Sequence, residues 1–197
     1  GGGGFVDAGR ERYDAAGVST EHATGFAKHQ PLIRLLNFEY ERDTDWGAIR
    51  LNGGGTLVDV DIDRYFELFT PNATAPLSGL EVTNTDVEEK GFTLGGDIER
   101  KFNNGMSAKL ITFNRRGWNE NNTTFGTYTG AGGLIVATTS APDANFGESI
   151  LRGQLNWKLN ESHVIEIAAE TAYNFLDSIT GFTRRTPTST TSFFVDG

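Results

Sequence analysis

Apolar and polar side chains alternate along residues 148–176, on both sides of a short polar turn at residues 160–163. The apolar positions are Leu151, Leu155, Trp157, Leu159, Ile165, Ile167, Ala169, Tyr173 and Phe175. The positions between them include Arg152, Gln154, Asn156, Lys158, Glu166, Glu170 and Asn174. Because successive side chains of a strand point to opposite faces, this pattern predicts a β-hairpin with one apolar and one strongly polar face.

The same alternation recurs along the chain, and we expect Phe92, Leu94 and Ile98 to share the apolar face of that hairpin, with Asp97 and Glu99 on its polar face. The alternation predicts antiparallel strands near residues 32–42, 46–66, 91–102, 106–117, 148–159 and 164–177, with tight turns at residues 43–45, 103–105 and 160–163. Asn104-Gly105 is a strong signal for a tight turn. The alternation breaks at Gly53–Gly55 and at Leu110-Ile111, which predicts a bulge or a change of register at each place.

Two long polar stretches, residues 69–90 and 119–147, separate the predicted hairpins. They are rich in Asn, Thr and Gly and show almost no periodicity, so we expect them to be long loops. Short turns alternating with long loops are typical of outer-membrane barrels, which keep the short turns on the periplasmic side. The prediction is therefore an all-β, antiparallel transmembrane β-barrel wall of about six strands. Residues 32–197 would belong to one larger barrel domain, and residues 1–31 would be a loop or a preceding barrel segment.

Two runs of the chain carry a family resemblance. The run GFTLGGDIERKFNNGMSAKLITFNRRGW at Gly91–Trp118, followed by GESILRGQLNWKLNESHVIEIAAETAYNFLDS at Gly147–Ser178, resembles the barrel of proteobacterial TonB-dependent outer-membrane receptors. The resemblance covers about the last two-thirds of the chain and implies a barrel of about twenty-two strands with a plug inside it. It also implies energised uptake through a periplasmic TonB partner. The chain departs from the family in showing no plug domain, TonB box or aromatic C-terminal strand. It begins with four glycines, without a Met or a signal peptide, and about six strands are too few to close a barrel, so we expect an internal piece of a longer protein.

Composition and charge narrow the function classes. No stretch approaches the roughly eighteen apolar residues of a membrane-spanning helix, and the mean hydropathy is −0.36. The chain has 0 cysteines, which excludes disulfides and thiolate metal sites. Its net charge of −9 argues against binding to nucleic acid.

Candidate sites are few. Trp118, Phe125 and Tyr128 lie in or beside the second long polar stretch and are the predicted ligand-binding residues, with the outer aromatic girdle or packing within the loop as the alternatives. Three carboxylates alternate at Asp59–Asp63 and would either hold a cation or form a solvated face, which is the stronger expectation. The histidines are scattered without ligand spacing, so we predict no metal site. We also predict no catalytic residue and no cofactor.

These observations favour a transport protein in the outer membrane of a Gram-negative cell, in contact with lipid and with a small-molecule nutrient. The predicted function is TonB-energised uptake, in which the long loops capture the nutrient at the barrel mouth. Two alternatives stay open, namely a passive porin and a soluble, secreted β-sheet module that binds a ligand. The distribution of apolar residues distinguishes them, because a barrel needs an apolar outside on every strand, whereas a soluble sheet buries one face against a second sheet.

Overall fold

The computed structural model describes residues 4–196, which form one antiparallel sheet of eight strands. The strands are β1 (Gly4–Tyr13), β2 (Ser19–Thr44), β3 (Gly47–Phe69), β4 (Leu77–Lys101), β5 (Met106–Thr129), β6 (Leu134–Lys158), β7 (Val164–Arg185) and β8 (Thr190–Asp196). Each strand pairs with its neighbours in sequence, and no helix occurs in this part of the chain. The prediction of an all-β antiparallel fold is confirmed, and the six predicted strands lie within β2–β7. The count of about six strands was too low.

The hairpin turns follow the predicted chemistry at one end of the sheet. Residues 45–46, 102–105 and 159–163 join the strands there. Gly105 has a φ of +77°, a conformation that glycine adopts without steric cost. The backbone N–H of Phe102 donates to the carbonyl of Met106 at 2.9 Å and closes that turn. We call this end of the sheet the short-turn end.

The prediction of long loops at residues 69–90 and 119–147 is wrong, because most of these residues belong to strands. Residues 77–90 belong to β4, and residues 119–147 are mostly the upper parts of β5 and β6. The connections at the far end of the sheet are only residues 14–18, 70–76, 130–133 and 186–189. The alternation disappears in the Asn- and Thr-rich stretches because both faces of the sheet are polar there, while the backbone ladder continues unchanged.

The sequence left residues 1–31 unassigned; residues 1–3 lie outside the described residues, and most of residues 4–31 form strands. Residues 4–13 make β1, and residues 19–31 are the first half of β2. Their register runs from Gly4 opposite His29 to Arg12 opposite Glu21 before it shifts at Tyr13. Small residues and charges alternate irregularly in this segment, so neither face carries an apolar stripe that would have marked it as a strand.

The two predicted breaks in register are also wrong. The pairing of β3 with β2 and β4 is unbroken through Gly53–Gly55, and β5 pairs regularly through Leu110 and Ile111. The irregularities lie instead near the far end, at Arg12/Tyr13, Leu68/Phe69 and Thr127/Tyr128. The alternation breaks at Gly53–Gly55 and Leu110-Ile111 because apolar side chains change from one face of the sheet to the other, which the register does not require.

The sheet is curved. The guanidinium of Arg10 on β1 bonds Glu21 on β2 at 3.1 Å and also Glu81 on β4 at 3.1 Å. In a flat sheet β1 and β4 would lie about 14 Å apart, at roughly 4.8 Å per strand. The contact therefore requires the sheet to bend toward these side chains. We call their side of the sheet the concave face and the other side the convex face.

The sheet has almost no core. Its buried hydrophobic residues are Ala23, Ala48 and Leu68, all of which point to the concave face. The accessible surface is 13132 Å² for a chain of 21.4 kDa, whereas a self-contained globular protein of that mass exposes about 9,100 Å². This single layer leaves an unusual amount of surface for other molecules to cover.

Both edges of the sheet are open over the half nearest the short-turn end. Within residues 4–196, β1 pairs with β2 only as far as His29, so residues 30–44 of β2 pair with β3 on one side and have no described strand on the other. Likewise β8 pairs with β7 from Ile179 onward, so residues 164–178 of β7 pair with β6 alone. The described residues therefore form an open sheet. Exposed strand edges of this length are templates for pairing with further strands.

Candidate functional site

The convex face carries a broad apolar band along the half of the sheet nearest the short-turn end. Across the strands, directly paired residues share a face, so the register assigns each side chain to a side. The band includes Leu36, Phe38, Leu51, Phe92, Leu94, Ile98, Leu110, Leu151, Leu155, Trp157, Ile165 and Ile167. Most of these side chains are exposed, with Leu94 at 48% and Ile167 at 60%. The largest apolar patch of an ordinary soluble monomer covers only about 300–600 Å².

The predicted sidedness of the strands is confirmed as far as the shared face is concerned. The residues predicted to form one apolar surface, Phe92, Leu94, Ile98, Leu151, Leu155, Trp157, Ile165 and Ile167, all lie on the convex face. Their predicted polar counterparts, Asp97, Glu99, Arg152, Gln154, Glu166 and Glu170, all lie on the concave face. Period-two alternation was therefore sufficient to sort these side chains.

Positively charged side chains lie at both borders of the band. The upper border is the one toward the far end of the sheet, and the lower border is the one toward the short-turn end. Arg34 and Lys90 lie in one cross-strand row at the upper border, and Arg116 lies one row below. Arg116 extends over Gly147, which leaves the space that a Cβ would fill, and its guanidinium lies 4.6 Å from the ring centre of Phe175. At the lower border the guanidinium of Arg100 lies 5.3 Å from the ring of Phe102.

A belt of carboxylates follows directly above the upper border on the convex face. One cross-strand row contains Asp59, Glu88, Glu120 and Asp143, and the next contains Asp61 and Asp86. Oxygens of Asp59, Asp61 and Asp86 lie within 4.8 Å of one another, and all three residues are exposed. Asp63 accepts a hydrogen bond from the Asn84 amide at 2.7 Å. The belt places the three carboxylates of Asp59–Asp63 on one face, as the alternation predicted, and extends over four strands.

The concave face opposite the band carries a ladder of polar side chains. The guanidinium of Arg50 bonds Glu41 at 2.8 Å and Asp97 at 3.0 Å, and the Lys109 ammonium lies 3.2 Å from Asp97. Further along, the Gln154 amide donates to Glu166 at 2.7 Å. These contacts join β2–β5 and β6–β7 through side chains, so the concave face at this height is polar and cross-linked.

Asp97 joins two cations of this ladder, and its replacement tests the ladder directly. We expect Asp97→Asn to lower the free energy of unfolding by about 1 kcal/mol, because the side chains are only partly shielded from solvent. Glu99→Gln is the matched control, since Glu99 lies on the same strand and face and forms no ion pair within residues 4–196. Urea unfolding in 0.1 M and 1 M NaCl measures both variants. An equal loss for both, independent of salt, would contradict the role of Asp97.

A hollow interrupts the concave face midway along the strands. Its floor is formed by Gly54 on β3, Gly91 on β4 and Gly117 on β5, and Gly91 and Gly117 pair directly. Its volume is about 240 Å³. The rim consists of Asn37, Thr56, Glu89, Thr93, Arg115 and Phe146. The hollow therefore combines a backbone floor, an aromatic wall and polar groups of both charges.

The sequence did not identify this hollow. Its only signal was the presence of glycine inside strands that otherwise alternate, since a strand glycine often marks the close approach of a ligand or another backbone. The register was needed to place Gly54, Gly91 and Gly117 side by side, because they come from three strands and are far apart in sequence.

The predicted ligand-binding aromatics do not lie in a loop and do not converge. Trp118, Phe125 and Tyr128 all belong to β5. Trp118 is on the convex face at the upper border of the band, with its ring centre 6.2 Å from that of Phe92. Phe125 is on the concave face, and Tyr128 folds over Gly126 beyond the bulge. They were placed in a loop because the surrounding Asn- and Thr-rich sequence lacks periodicity.

The histidines are separate from one another. His22 bonds Glu11 at the far end of the sheet, while His163 bonds the Asn160 amide oxygen in a turn at 2.9 Å. The hydrogen bond from His22, with a smaller one from the Ser19 hydroxyl, lowers the pKa of Glu11 below its usual value of 4.5. The Glu11 contacts therefore stabilise the β1–β2 pair above that usual pKa and are lost as the pH falls through the lowered value.

This pKa shift can be measured at Glu11 itself. We expect carboxyl ¹³C NMR to show Glu11 titrating below 4.5 in the intact chain. His22→Leu should return the midpoint toward 4.5, and Ser19→Ala should have the smaller effect, because the His22 hydrogen bond is the larger cause. A Glu11 midpoint that both variants leave unchanged would show that these contacts do not form in solution.

Among residues 4–196, no helix is both long and apolar enough to cross a membrane.

No protein-family profile matches the chain, and no curated protein matches it. The functional argument therefore depends on the two faces of the sheet, the borders of its apolar band and the hollow on its concave face.

Proposed function

We propose that this chain forms part of the wall of a transmembrane β-barrel in a Gram-negative outer membrane. The observation that carries the proposal is the exposed apolar band on the convex face, with a polar ladder behind it on the concave face. A barrel in a bilayer needs this combination, because lipid covers its outside and water or protein fills its inside.

The height of the band supports this assignment. On β7 the band extends from Ile165 to Phe175, and on β4 from Phe92 to Phe102. Each stretch is about 33 Å of strand at roughly 3.3 Å per residue, which a tilt of 35–45° reduces to about 25 Å. That is the usual height of the apolar band on outer-membrane barrels. The strands continue far beyond it, so their upper halves would stand outside the bilayer.

The borders of the band support the same placement. Trp118 and Phe92 lie near the upper border and Trp157 near the lower one, as expected for aromatic residues at the two membrane interfaces. Arg34, Lys90 and Arg116 would meet the headgroup phosphates on one side. The short-turn end would face the periplasm, and the acidic belt would face outward.

We further propose that the parent protein is a receptor of the TonB-dependent type that imports a small nutrient. The resemblance of Gly91–Trp118 and Gly147–Ser178 to that family supports this step, as does the ladder of polar side chains on the concave face behind the apolar band. The proposed activity is binding and passage rather than catalysis. TonB would be the periplasmic partner.

A soluble module is less well supported by the same observations. A soluble β-sandwich covers its apolar face with a second sheet, whereas all eight strands here belong to one layer. No feature of the described residues favours this alternative over a barrel wall.

Membrane insertion can be tested by attaching a fluorophore to single cysteines, because the chain has 0 cysteines of its own. Leu151 on the convex face and Ile150 on the concave face are neighbours and suit a matched pair. In vesicles that contain nitroxide-labelled lipid, we expect strong quenching at Leu151→Cys and weak quenching at Ile150→Cys. Equal quenching at both positions would exclude the wall assignment.

The receptor and the passive porin differ in conductance. A receptor whose lumen is filled by a plug should show no steady ion current when the parent protein is reconstituted in a planar bilayer, and it should bind the periplasmic domain of TonB. A steady current through the untreated protein, without TonB binding, would contradict the receptor proposal and support a passive porin.

A further inference from the structure

The floor of the hollow on the concave face is formed by three glycines whose backbone angles do not require glycine. Gly54, Gly91 and Gly117 have none of the positive φ angles that would require glycine, since those occur at Gly17, Gly47, Gly105 and Gly132. Side chains with a Cβ can adopt the backbone conformation at the floor. The glycines are therefore useful there for the room they leave above the sheet.

Side chains from the neighbouring positions fill only part of that room. The Phe146 ring lies over Gly117, where a Cβ would come within 2.6 Å of it, and the Asn37 side chain lies over Gly54. Above Gly91, by contrast, the nearest atoms to a Cβ would be backbone, with the Arg116 carbonyl oxygen at 3.2 Å. The open part of the hollow is thus centred on Gly91, with a flat floor and the Phe146 ring at its side.

The rim provides hydrogen-bonding groups of several kinds that have few competing partners. Glu89 and Arg115 form no ion pair in the described part of the chain. The Arg115 guanidinium lies over the Phe146 ring, 5.3 Å from its centre, beside the opening. Thr56 and Thr93 add hydroxyl groups. The charges balance, so the hollow suits a neutral ligand with many donors and acceptors.

We propose that this hollow binds one pyranose ring of a neutral saccharide. A sugar ring presents an apolar C–H face to an aromatic side chain, while adjacent hydroxyls bind a carboxylate, an amide or a guanidinium. The volume of about 240 Å³ admits one ring, and it is below the range of about 300–1,000 Å³ typical of drug-sized ligands. The inference rests on the proposed function only in that it makes the saccharide, or a chain of them, the imported nutrient.

Binding is measured by saturation-transfer difference NMR on the full chain in detergent micelles, with maltohexaose, cellohexaose and laminarihexaose as probes. We expect at least one of them to receive saturation from the protein. Gly91→Val should weaken that binding by about tenfold or more, because it fills the floor. Glu89→Gln removes an acceptor without changing shape and should also weaken it.

Gly55→Val is the matched control. Gly55 is adjacent to Gly54 but points to the convex face, and a Cβ there would meet only the Gly91 carbonyl oxygen at 3.8 Å. We expect its saccharide binding to equal that of the unmodified chain. Because Glu89→Gln preserves the floor, it decides the question even if Gly91→Val does not fold.

Two results would overturn the proposal: the absence of binding by all three saccharides, or binding that neither Gly91→Val nor Glu89→Gln reduces. Either result leaves the lipid-quenching test at Leu151 and Ile150 untouched, so the failure of the saccharide site can be told apart from failure of the barrel assignment. Conversely, saccharide binding by a chain that does not insert into vesicles would support the saccharide site and contradict the assignment to a membrane barrel.

Discussion

Leu151→Arg should lower the free energy of unfolding in lipid vesicles by about 2–4 kcal/mol, the usual cost of a cation on the lipid face at mid-bilayer. Leu151 is 46% exposed on the convex face and lies near the middle of the apolar band. If lipid covers that face, the new guanidinium has neither water nor a counterion at that depth. Urea unfolding in vesicles of uniform thickness measures the loss.

Ile150→Arg is the control for this prediction. Ile150 is the preceding residue on the same strand, but it points to the concave face, where it pairs with Phe113 and Ala172. The carboxylate of Glu148 is two residues away on the same face, and the concave face does not contact lipid in the proposed barrel, so we expect a loss well under that of Leu151→Arg. Equal losses at the two positions would mean that the two faces have similar surroundings, which a barrel wall in a membrane does not allow.

Gly25→Ala should cost about 1–3 kcal/mol, the range for overpacking at a site that cannot expand. A Cβ on Gly25 would collide with the Tyr65 carbonyl group and lie 2.9 Å from the Phe66 Cα. These are backbone atoms of the neighbouring strand, so no side chain can turn aside. The added methyl must separate β2 from β3 where the sheet bends most closely on itself.

Gly9→Ala provides the comparison on β1. A Cβ there would meet only the Ala23 carbonyl oxygen at 3.8 Å, an ordinary contact. Replacing glycine by alanine at a compatible position stabilises a protein by about 0.4–1 kcal/mol through the unfolded chain. Thermal or urea unfolding should therefore show a lower free energy of unfolding for Gly25→Ala and a higher one for Gly9→Ala. A neutral Gly25→Ala would show that β2 and β3 are not in such close contact there.

The sequence predicted the parts of the fold in which the two faces of the sheet differ. Around Leu94 and Leu155 an apolar face lies opposite a polar one, so period-two alternation located the strands and assigned their faces. Above the band, residues such as Thr124 and Asn122 have polar neighbours on both faces, and the alternation carries no signal. Because both faces are polar there, the sequence did not predict the upper halves of the strands and indicated long loops instead.

The candidate site was harder to predict, because it is assembled across strands. Trp118 and Phe125 are informative as residue types, but their sequence does not tell which face they occupy or how far apart they lie. The hollow depends on Gly91 lying opposite Gly117 and beside Thr56, and this pairing follows only from the register. A one-residue error of register would have moved every one of these groups to the other face.

The order of the strands has a consequence for how the chain is assembled. Every strand pairs only with its neighbours in sequence, so no pairing has to wait for a distant segment to arrive. Pairing two such strands closes only the short turn between them and avoids the entropy cost of closing a long loop. Each new hairpin can be added to the growing edge as soon as it emerges, whichever end is delivered first. In this respect the sheet resembles a repeat protein, in which interfaces between neighbouring repeats supply most of the stability and folding propagates from one repeat to the next.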